Sequence, residues 1–291
     1  MKPAAFDYVV ADSVEAAVSA LAAADGDGKI IAGGQSLVPM LNFRLLRPSV
    51  LVDINRITGL AGVEDCGESI RVGALTRHVT LETSPIVAEH FPVLHEAMTF
   101  VAHLAIRNRG TIGGSLSHAD PAAELPMMSL LLNARLGITS STGRRTVDPV
   151  DFFLGALTTD LADDELLTDI EFPKLPPKTG WGFEEVARRS GDFALACVAA
   201  TISLVDDTAG EVRIGMMGIG ETVMRASDAE GLLAGQKLSD ELLDEAVALI
   251  RAAVEPNTDL HASSDYRRHL VGVLARRALL SAWQRAGRAV A

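Results

Sequence analysis

RNRGTIGGSLSHADPAAELP, from Arg107 to Pro126, sets two adjacent glycines, Gly113 and Gly114, among the hydroxyl residues Thr111, Ser115 and Ser117, and follows them with Asp120-Pro121. Adjacent glycines let a backbone approach another molecule closely and take up positive φ. Flanking hydroxyls add donors, so the segment has the makings of a nest for a phosphate. From Pro121 onward, PAAELPMMSLLLNA reads as a helix opened by a proline in its first turn. The same pattern is also compatible with a plain tight turn carrying no ligand.

A second stretch of the same kind lies upstream. Lys29 to Ala32 reads as a short buried strand that ends in Gly33-Gly34-Gln35-Ser36, and Leu37 to Leu46 continues in helical character. Val50 to Ile54 is the next strand. Strand, glycine pair, hydroxyl residue and helix again make a backbone nest. The chain has neither a Walker lysine nor a GxGxxG, so two such loops point to one pyrophosphate held between them, as a dinucleotide would offer.

The composition narrows the function classes. The chain has 291 residues, enough for two or three subdomains, with 48% apolar and 22% charged residues. Its formal net charge of −12 argues against a nucleic-acid binder, whose footprint is basic. Cys66 and Cys197 are the only cysteines, far apart and in no CxxC arrangement, which excludes a self-contained cysteine-ligated iron–sulfur cluster or structural zinc site. Both are expected to be reduced, as in a cytoplasmic protein. The N-terminus carries Asp7 and Asp12 without an apolar run, so no signal peptide is expected, and no stretch reaches the length of a membrane span.

Along the chain, a capped alanine-rich helix is expected from Ala11 to Ala24. Ile70 to Ala74 reads as a strand, Thr76 to Glu82 as a short helix, and a helix from Pro85 reaches Ala97. Arg135 to Thr139 and Arg145 to Val147 form a hairpin, Asp148-Pro149 caps a short helix, and Glu165 to Phe172 is a strand. Three prolines between Pro173 and Pro177 mark the clearest boundary. Beyond it lie three strand-like runs, Trp181 to Arg189, Ala196 to Val205 and Glu211 to Met217, then helices at Ala226 to Ala234, Ser239 to Ala253 and from Ser264 to about Arg288. The arginines of the last helix (Arg267, Arg268, Arg276, Arg277, Arg285) suggest a solvated or partner-facing surface.

Several separated motifs in order carry a resemblance that spans nearly the whole chain: Ala32-Gly33-Gly34-Gln35-Ser36-Leu37, Arg107 to Leu116, His118 to Pro126, Asp164 to Leu167 and Arg189 to Ala194. The chain resembles the FAD-binding medium subunit of molybdenum hydroxylases, the group of the carbon monoxide dehydrogenase flavoprotein and the flavin domain of xanthine dehydrogenase. The resemblance implies an α+β protein, with a two-subdomain FAD-binding fold of the vanillyl-alcohol-oxidase/PCMH type over residues 1–57 and 58–177. A C-terminal domain over 178–291 follows, built on a three-stranded antiparallel sheet with helices. It implies FAD contacts at Ala32, Gly33, Gly34, Gln35, Ser36, Leu37, Gly110, Thr111, Gly113, Gly114, Ser115, His118 and Asp120. Glu124 would meet the adenosine side, Val101, Ala102 and Leu167 would border the flavin ring, and Phe193 would take the place where tyrosine is familiar. Glu184-Glu185 stands where some relatives carry a lysine, and two acids there disfavour a reduced anionic flavin.

Such a chain passes electrons from the iron–sulfur clusters of a small subunit to an external acceptor through FAD. Molybdopterin sits in a large subunit, and the assembly is expected to be a dimer of heterotrimers. The hard chemistry belongs to the cofactor, so no side-chain acid, base, nucleophile or metal ligand is assigned. His103 and His118 flank the glycine stretch without a cysteine or second histidine at ligand spacing, which suits structural or ring-contact roles. Two other readings stay open at this level: a stand-alone flavin oxidase or reductase of the same fold group, and an assembly subunit that has lost FAD.

Overall fold

The computed structural model describes residues 1–288. Its first part is a small parallel sheet, ordered β1-β3-β2, of β1 (Asp7–Val10), β2 (Gly28–Ile31) and β3 (Val50–Asp53). Helix α1 (Val14–Ala23) crosses between the first two strands. Its N-cap is Ser13, whose Oγ accepts the Ala16 N–H at 3.1 Å, so the hydroxyl and not Asp12 starts the helix. Ala17, Val18 and Leu21 of α1 pack with Val52, Ile54 and Leu60. Helix α2 (Leu37–Asn42) is shorter than the pattern suggests, because Arg44 turns left-handed at φ 57° and ends it.

The second part is a five-stranded antiparallel sheet ordered β4-β5-β10-β6-β7, from β4 (Val63–Asp65), β5 (Ser69–Gly73), β6 (Arg135–Ser140), β7 (Gly143–Val147) and β10 (Leu166–Pro173). Between β5 and β6 run the short helices α3 (His78–Thr83), α4 (Pro85–His90), α5 (Pro92–Ala97), α6 (Leu104–Arg107), α7 (Ile112–His118) and α8 (Glu124–Leu131). The helix expected from Pro85 to Ala97 is two, because Pro92 lacks the N–H that would continue α4 and Phe91 leaves helical geometry at φ −136°, ψ 63°. Helix α9 (Pro149–Phe152) and the hairpin of β8 (Phe153–Gly155) and β9 (Thr158–Thr159) fill the β7–β10 connection.

The third part corrects the expected three-stranded sheet. Four strands pair in the order β11-β12-β13-β14: β11 (Thr179–Ala187), β12 (Ala194–Val205), β13 (Thr208–Met217) and β14 (Met224–Arg225). With two residues, β14 is too short for an alternation to show in sequence. Helices α10 (Ser227–Leu233), α11 (Asp240–Ala252) and α12 (Ser264–Arg288) complete the described residues.

Both faces of this sheet are covered. Successive side chains on a strand point to opposite faces. Accordingly Cys197 and Ala199 of β12 join the core around α8, while Ala196, Val198 and Ala200 join the core that includes α12. Gly180 and Gly182 of β11 let α12 lie directly on the strand backbone: a Cβ at either would overlap the carbonyl oxygen of Ala282 or Ala278. Of the α12 arginines read as a solvated or partner-facing surface, Arg277 is exposed, but others are engaged within the chain. Arg267 is buried and donates to Leu195 O (2.6 Å), Gly218 O (3.0 Å) and Asp259 (2.8 Å), and Arg285 lies 3.5 Å over the Trp181 ring. Arg276 pairs with Asp240 and Asp244 of α11.

Candidate functional site

The two glycine stretches meet. Gly33 lies so close to the second stretch that a Cβ on it would overlap the Arg109 carbonyl oxygen and come within 2.9 Å of Gly110 Cα. This close backbone approach is what requires glycine there. Next to it, Gly34 has φ 73°. Among the described residues, the N–H groups of Gly33, Gly34, Gln35 and Ser36 donate to no protein acceptor, while the Gln35 amide donates to Gly33 O at 2.8 Å. Gly33 is buried and Gly34 and Gln35 are half-buried, where donors are rarely left unpaired, and with the exposed Ser36 they form a cradle for an anionic group. Ala32 and Leu37 flank it, both half-buried.

The second stretch is built differently from the expected loop. Gly113 and Gly114 lie inside α7, whose N-cap Thr111 accepts the Gly114 N–H through Oγ1 at 3.1 Å. Ile112 N–H donates to Thr76 O (3.0 Å) and Gly113 N–H to Ala74 O (2.9 Å). The N–H groups of this glycine pair are therefore committed within the protein and do not form a nest. Gly113 is glycine because Ala74 stands against it: a Cβ would come within 2.5 Å of the Ala74 Cβ. What the stretch presents is the exposed backbone at Gly114 and the half-buried Ser115, while Thr111 is buried with its hydroxyl proton still free to donate.

A polar relay that the sequence did not single out joins the two stretches. Asn55, just past β3, donates through Nδ2 to Ala32 O (2.9 Å) and to Asp53 Oδ1 (2.7 Å). Its Oδ1 accepts from Arg77 Nη2 at 2.8 Å, and Arg77 Nη1 donates to Arg109 O. Tyr8 donates to the far oxygen of Asp53. Truncating Asn55 to alanine cuts the relay in the middle, removing its bonds to Ala32 O and from Arg77. The expected result is a loss of about 1 kcal/mol of loop ordering, read as roughly fivefold weaker FAD binding in a fluorescence titration. An unchanged affinity would show that the relay does not order the loops.

His78 packs against Gly110, beside the Arg109 end of the relay. It is buried, neither ring nitrogen has a protein partner, and a Cβ on Gly110 would come within 2.9 Å of the ring. Burial pushes its pKa down to about 4, so the ring is neutral. Asp120 turns the chain after α7: its Oδ1 accepts the Ala122 N–H at 2.9 Å, and α8 begins only at Glu124, not at Pro121. His118 is half-buried, which lowers its pKa.

The residues expected at the ring end fall into two groups. Val101 and Leu167 are core side chains, 8% and 3% exposed, whereas Phe193 is 64% exposed on the β11–β12 connection. Ala102 turns left-handed at φ 43°. Glu124, 7% exposed, lies at the seam between α8 and the C-terminal sheet together with Glu185, which is paired across strands with Cys197 and whose Oε2 is buried without a partner. Burial pushes Glu124 up to about 7, and burial plus the Glu124 charge pushes Glu185 up to about 8. Both folded-state values lie above the unfolded ones. The stability they contribute is thus complete below the ordinary value of 4.5 and is lost progressively as pH rises from there through about 7 to 8. The cofactor-free chain is expected to lose roughly 5 °C of Tm across that rise, and Glu185→Gln is expected to flatten the loss. A pH-independent Tm would contradict the buried pair.

The matches to known proteins agree with this geometry. Residues 4–175 match the model of the FAD binding domain in molybdopterin dehydrogenase, and residues 181–282 match the CO dehydrogenase flavoprotein C-terminal domain. The chain belongs to the FAD-binding medium subunits of molybdenum hydroxylases. This medium subunit is 42% identical to the nicotine 6-hydroxylase medium subunit of Paenarthrobacter nicotinovorans, over 98% of this chain and 100% of that one. It is also 42% identical to the alpha subunit of the 6-hydroxypseudooxynicotine dehydrogenase complex of the same organism, over 98% and 97%. Among solved structures it superposes on carbon monoxide dehydrogenase from Hydrogenophaga pseudoflava with a TM-score of 0.96 at 37% identity, covering 98% and 99%. Quinoline 2-oxidoreductase from Pseudomonas putida 86 gives 0.93 at 39% identity over the same shares. FAD is therefore the cofactor that the Gly33–Ser36 cradle has to fit, and four free donors abutting a second backbone segment fit its pyrophosphate.

Proposed function

We propose that this medium subunit is the FAD-carrying, electron-transferring oxidoreductase subunit of a heterotrimeric molybdenum hydroxylase that works in the cytoplasm as a dimer of heterotrimers. FAD, when bound, supplies the redox chemistry, taking electrons from the iron–sulfur clusters of a small subunit and yielding them to an external acceptor. The observation that carries this reading is the contact of the two glycine stretches through Gly33, beside four N–H groups that have no protein acceptor. Those N–H groups hold the pyrophosphate, the Ser36 and Thr111 hydroxyls donate to it, and the Arg77 and Arg109 cations lie beside it. His118, Asp120 and Glu124 stand on the adenosine side. Val101, Ala102 and Leu167 form the wall at the ring, and Phe193 stands over it.

The division of labour follows from what the chain carries. Its two cysteines, one exposed and one buried in β12, cannot jointly hold a cluster, so the cluster ligands and the molybdopterin site belong to the small and large subunits. Among the described residues no helix is long and apolar enough to cross a membrane. Reconstitution of the purified chain with FAD, followed by its absorption spectrum, tests the cofactor. Tagged chain expressed with its neighbouring reading frames tests the assembly. Flavin bands in the protein fraction, and co-purification of molybdenum and iron, are the expected results. A chain that takes up no flavin would overturn the reading.

A further inference from the structure

Arg107, on the last turn of α6, makes four hydrogen bonds that no part of the pyrophosphate grip requires. Its Nε and Nη2 donate to the two oxygens of Glu82 on α3, at 2.7 and 3.1 Å. Its Nη1 donates to the carbonyls of Val101 and Ala102, both at 3.0 Å. The guanidinium is mostly buried, 13% exposed, and so is its carboxylate partner at 21%. A planar fork of this kind fixes orientation as well as charge, which an ammonium cannot do.

The two carbonyls bracket a backbone that would not adopt its shape unaided. Ala102 has φ 43°, a left-handed conformation that costs a residue with a Cβ about 1 kcal/mol. Such strain persists only where surrounding contacts over-determine it, and the Arg107 fork supplies those contacts. Just beyond, the His103 ring and the Ala102 carbonyl are covered by the β11–β12 connection at Gly191. Gly191 has φ 83°, and a Cβ on it would come within 2.6 Å of the His103 ring and 3.0 Å of Ala102 O. Two residues further along is Phe193, at the other end of the same connection.

We propose that Arg107 and Gly191 are positioning residues: Arg107 sets the left-handed turn at Ala102, and Gly191 seats the loop that carries Phe193 on that turn, so that the walls contributed by the two domains at the isoalloxazine ring are held in one geometry. The inference rests on the reading above, in which Val101, Ala102 and Phe193 border the ring. Neither residue touches the cofactor in this scheme. Each acts through a backbone: Arg107 through two carbonyl groups, Gly191 through the absence of a side chain.

The test uses the full chain. Wild type, Arg107→Gln, Arg107→Lys and Gly191→Ala are compared by amide exchange over residues 100–104 without FAD, by FAD titration, and by the visible circular dichroism of the bound flavin, which reports the asymmetry of its walls. Loss of a charge-assisted fork is expected to speed exchange and weaken FAD by about tenfold in both Arg107 variants, since lysine cannot reproduce the fork. All three variants are expected to alter the flavin dichroism, a signature that a loss of general stability does not produce. Glu82→Gln keeps the guanidinium and its carbonyl bonds; it is expected to be intermediate, and it carries the test if an Arg107 variant fails to fold. Variants that bind FAD within twofold of wild type and with its dichroism would overturn the inference while leaving the functional reading intact. A wild-type chain that binds no FAD would overturn both, and the exchange rates would then report on the turn alone.

Discussion

Gly33→Ala is expected to weaken FAD binding by about a hundredfold while leaving most of the fold in place. The Cβ would overlap the Arg109 carbonyl oxygen and press on Gly110 Cα. Both are backbone atoms that cannot swing away as the end of a flexible side chain could. Relief requires the first stretch to lift from the second, which separates the cradle of free N–H groups from the Thr111 and Ser115 hydroxyls. Overpacking at a rigid contact costs ~3 kcal/mol, equivalent to a loss of about a hundredfold in affinity. The loop lies on the surface between β2 and α2, so the strain falls on the site more than on the core. Fluorescence titration of FAD and a far-ultraviolet dichroism spectrum together check this. Retained affinity would mean that the loops need not touch.

Gly182→Ala is expected to have the larger effect on stability. At this position the backbone of β11 meets the backbone of α12, and an added methyl group would overlap Ala278 O and approach Ala278 Cα at 2.8 Å. Gly180 makes the same contact one helical turn on, against Ala282 and Ala286. Pushing the helix outward would loosen the buried Ala275, Ala278, Leu279 and Ala282 from the sheet. A cost of ~3 kcal/mol or more lowers Tm by roughly 10 °C in a chain of this size. A variant that melts within about 2 °C of wild type would show that α12 can ride up on the strand without penalty.

Most of the fold was readable because its signals are local. Strands β2, β3, β5, β6 and β10 are short apolar or alternating runs ended by glycine, proline or asparagine, and α11 and α12 follow a helical period. The α2 terminus was missed because a left-handed arginine at position 44 has no sequence mark. Arg267 was misread because charge alone does not tell whether an arginine faces water, as Arg277 does, or satisfies buried carbonyls. At the site, the glycines were visible but their reasons were not. Gly33 answers to Arg109, Gly113 to Ala74 and Gly191 to His103, each a partner distant in the chain. Asn55 and Arg77 were invisible for the same reason: nothing in either neighbourhood says that the two side chains meet. Glu124 and Glu185 lie 61 positions apart by subtraction, and only the packing of α8 on the sheet makes them a buried pair.

Strand β12, with eleven of its twelve residues buried, ties the cofactor-binding half and the helical C-terminal half into one cooperative unit. Gly215 on the neighbouring β13 receives Met127 and Leu131 of α8, at 3.2 Å from the place of its missing Cβ. A truncated gene product ending at the proline boundary would leave those side chains facing water. Melting of either half must strip the shared sheet of one of its coats, so heat should unfold both in a single calorimetric transition. By the same linkage, FAD added to the first half should raise the melting temperature of helices that never touch it. Cofactor supply would then govern how long the whole subunit survives before its partners arrive.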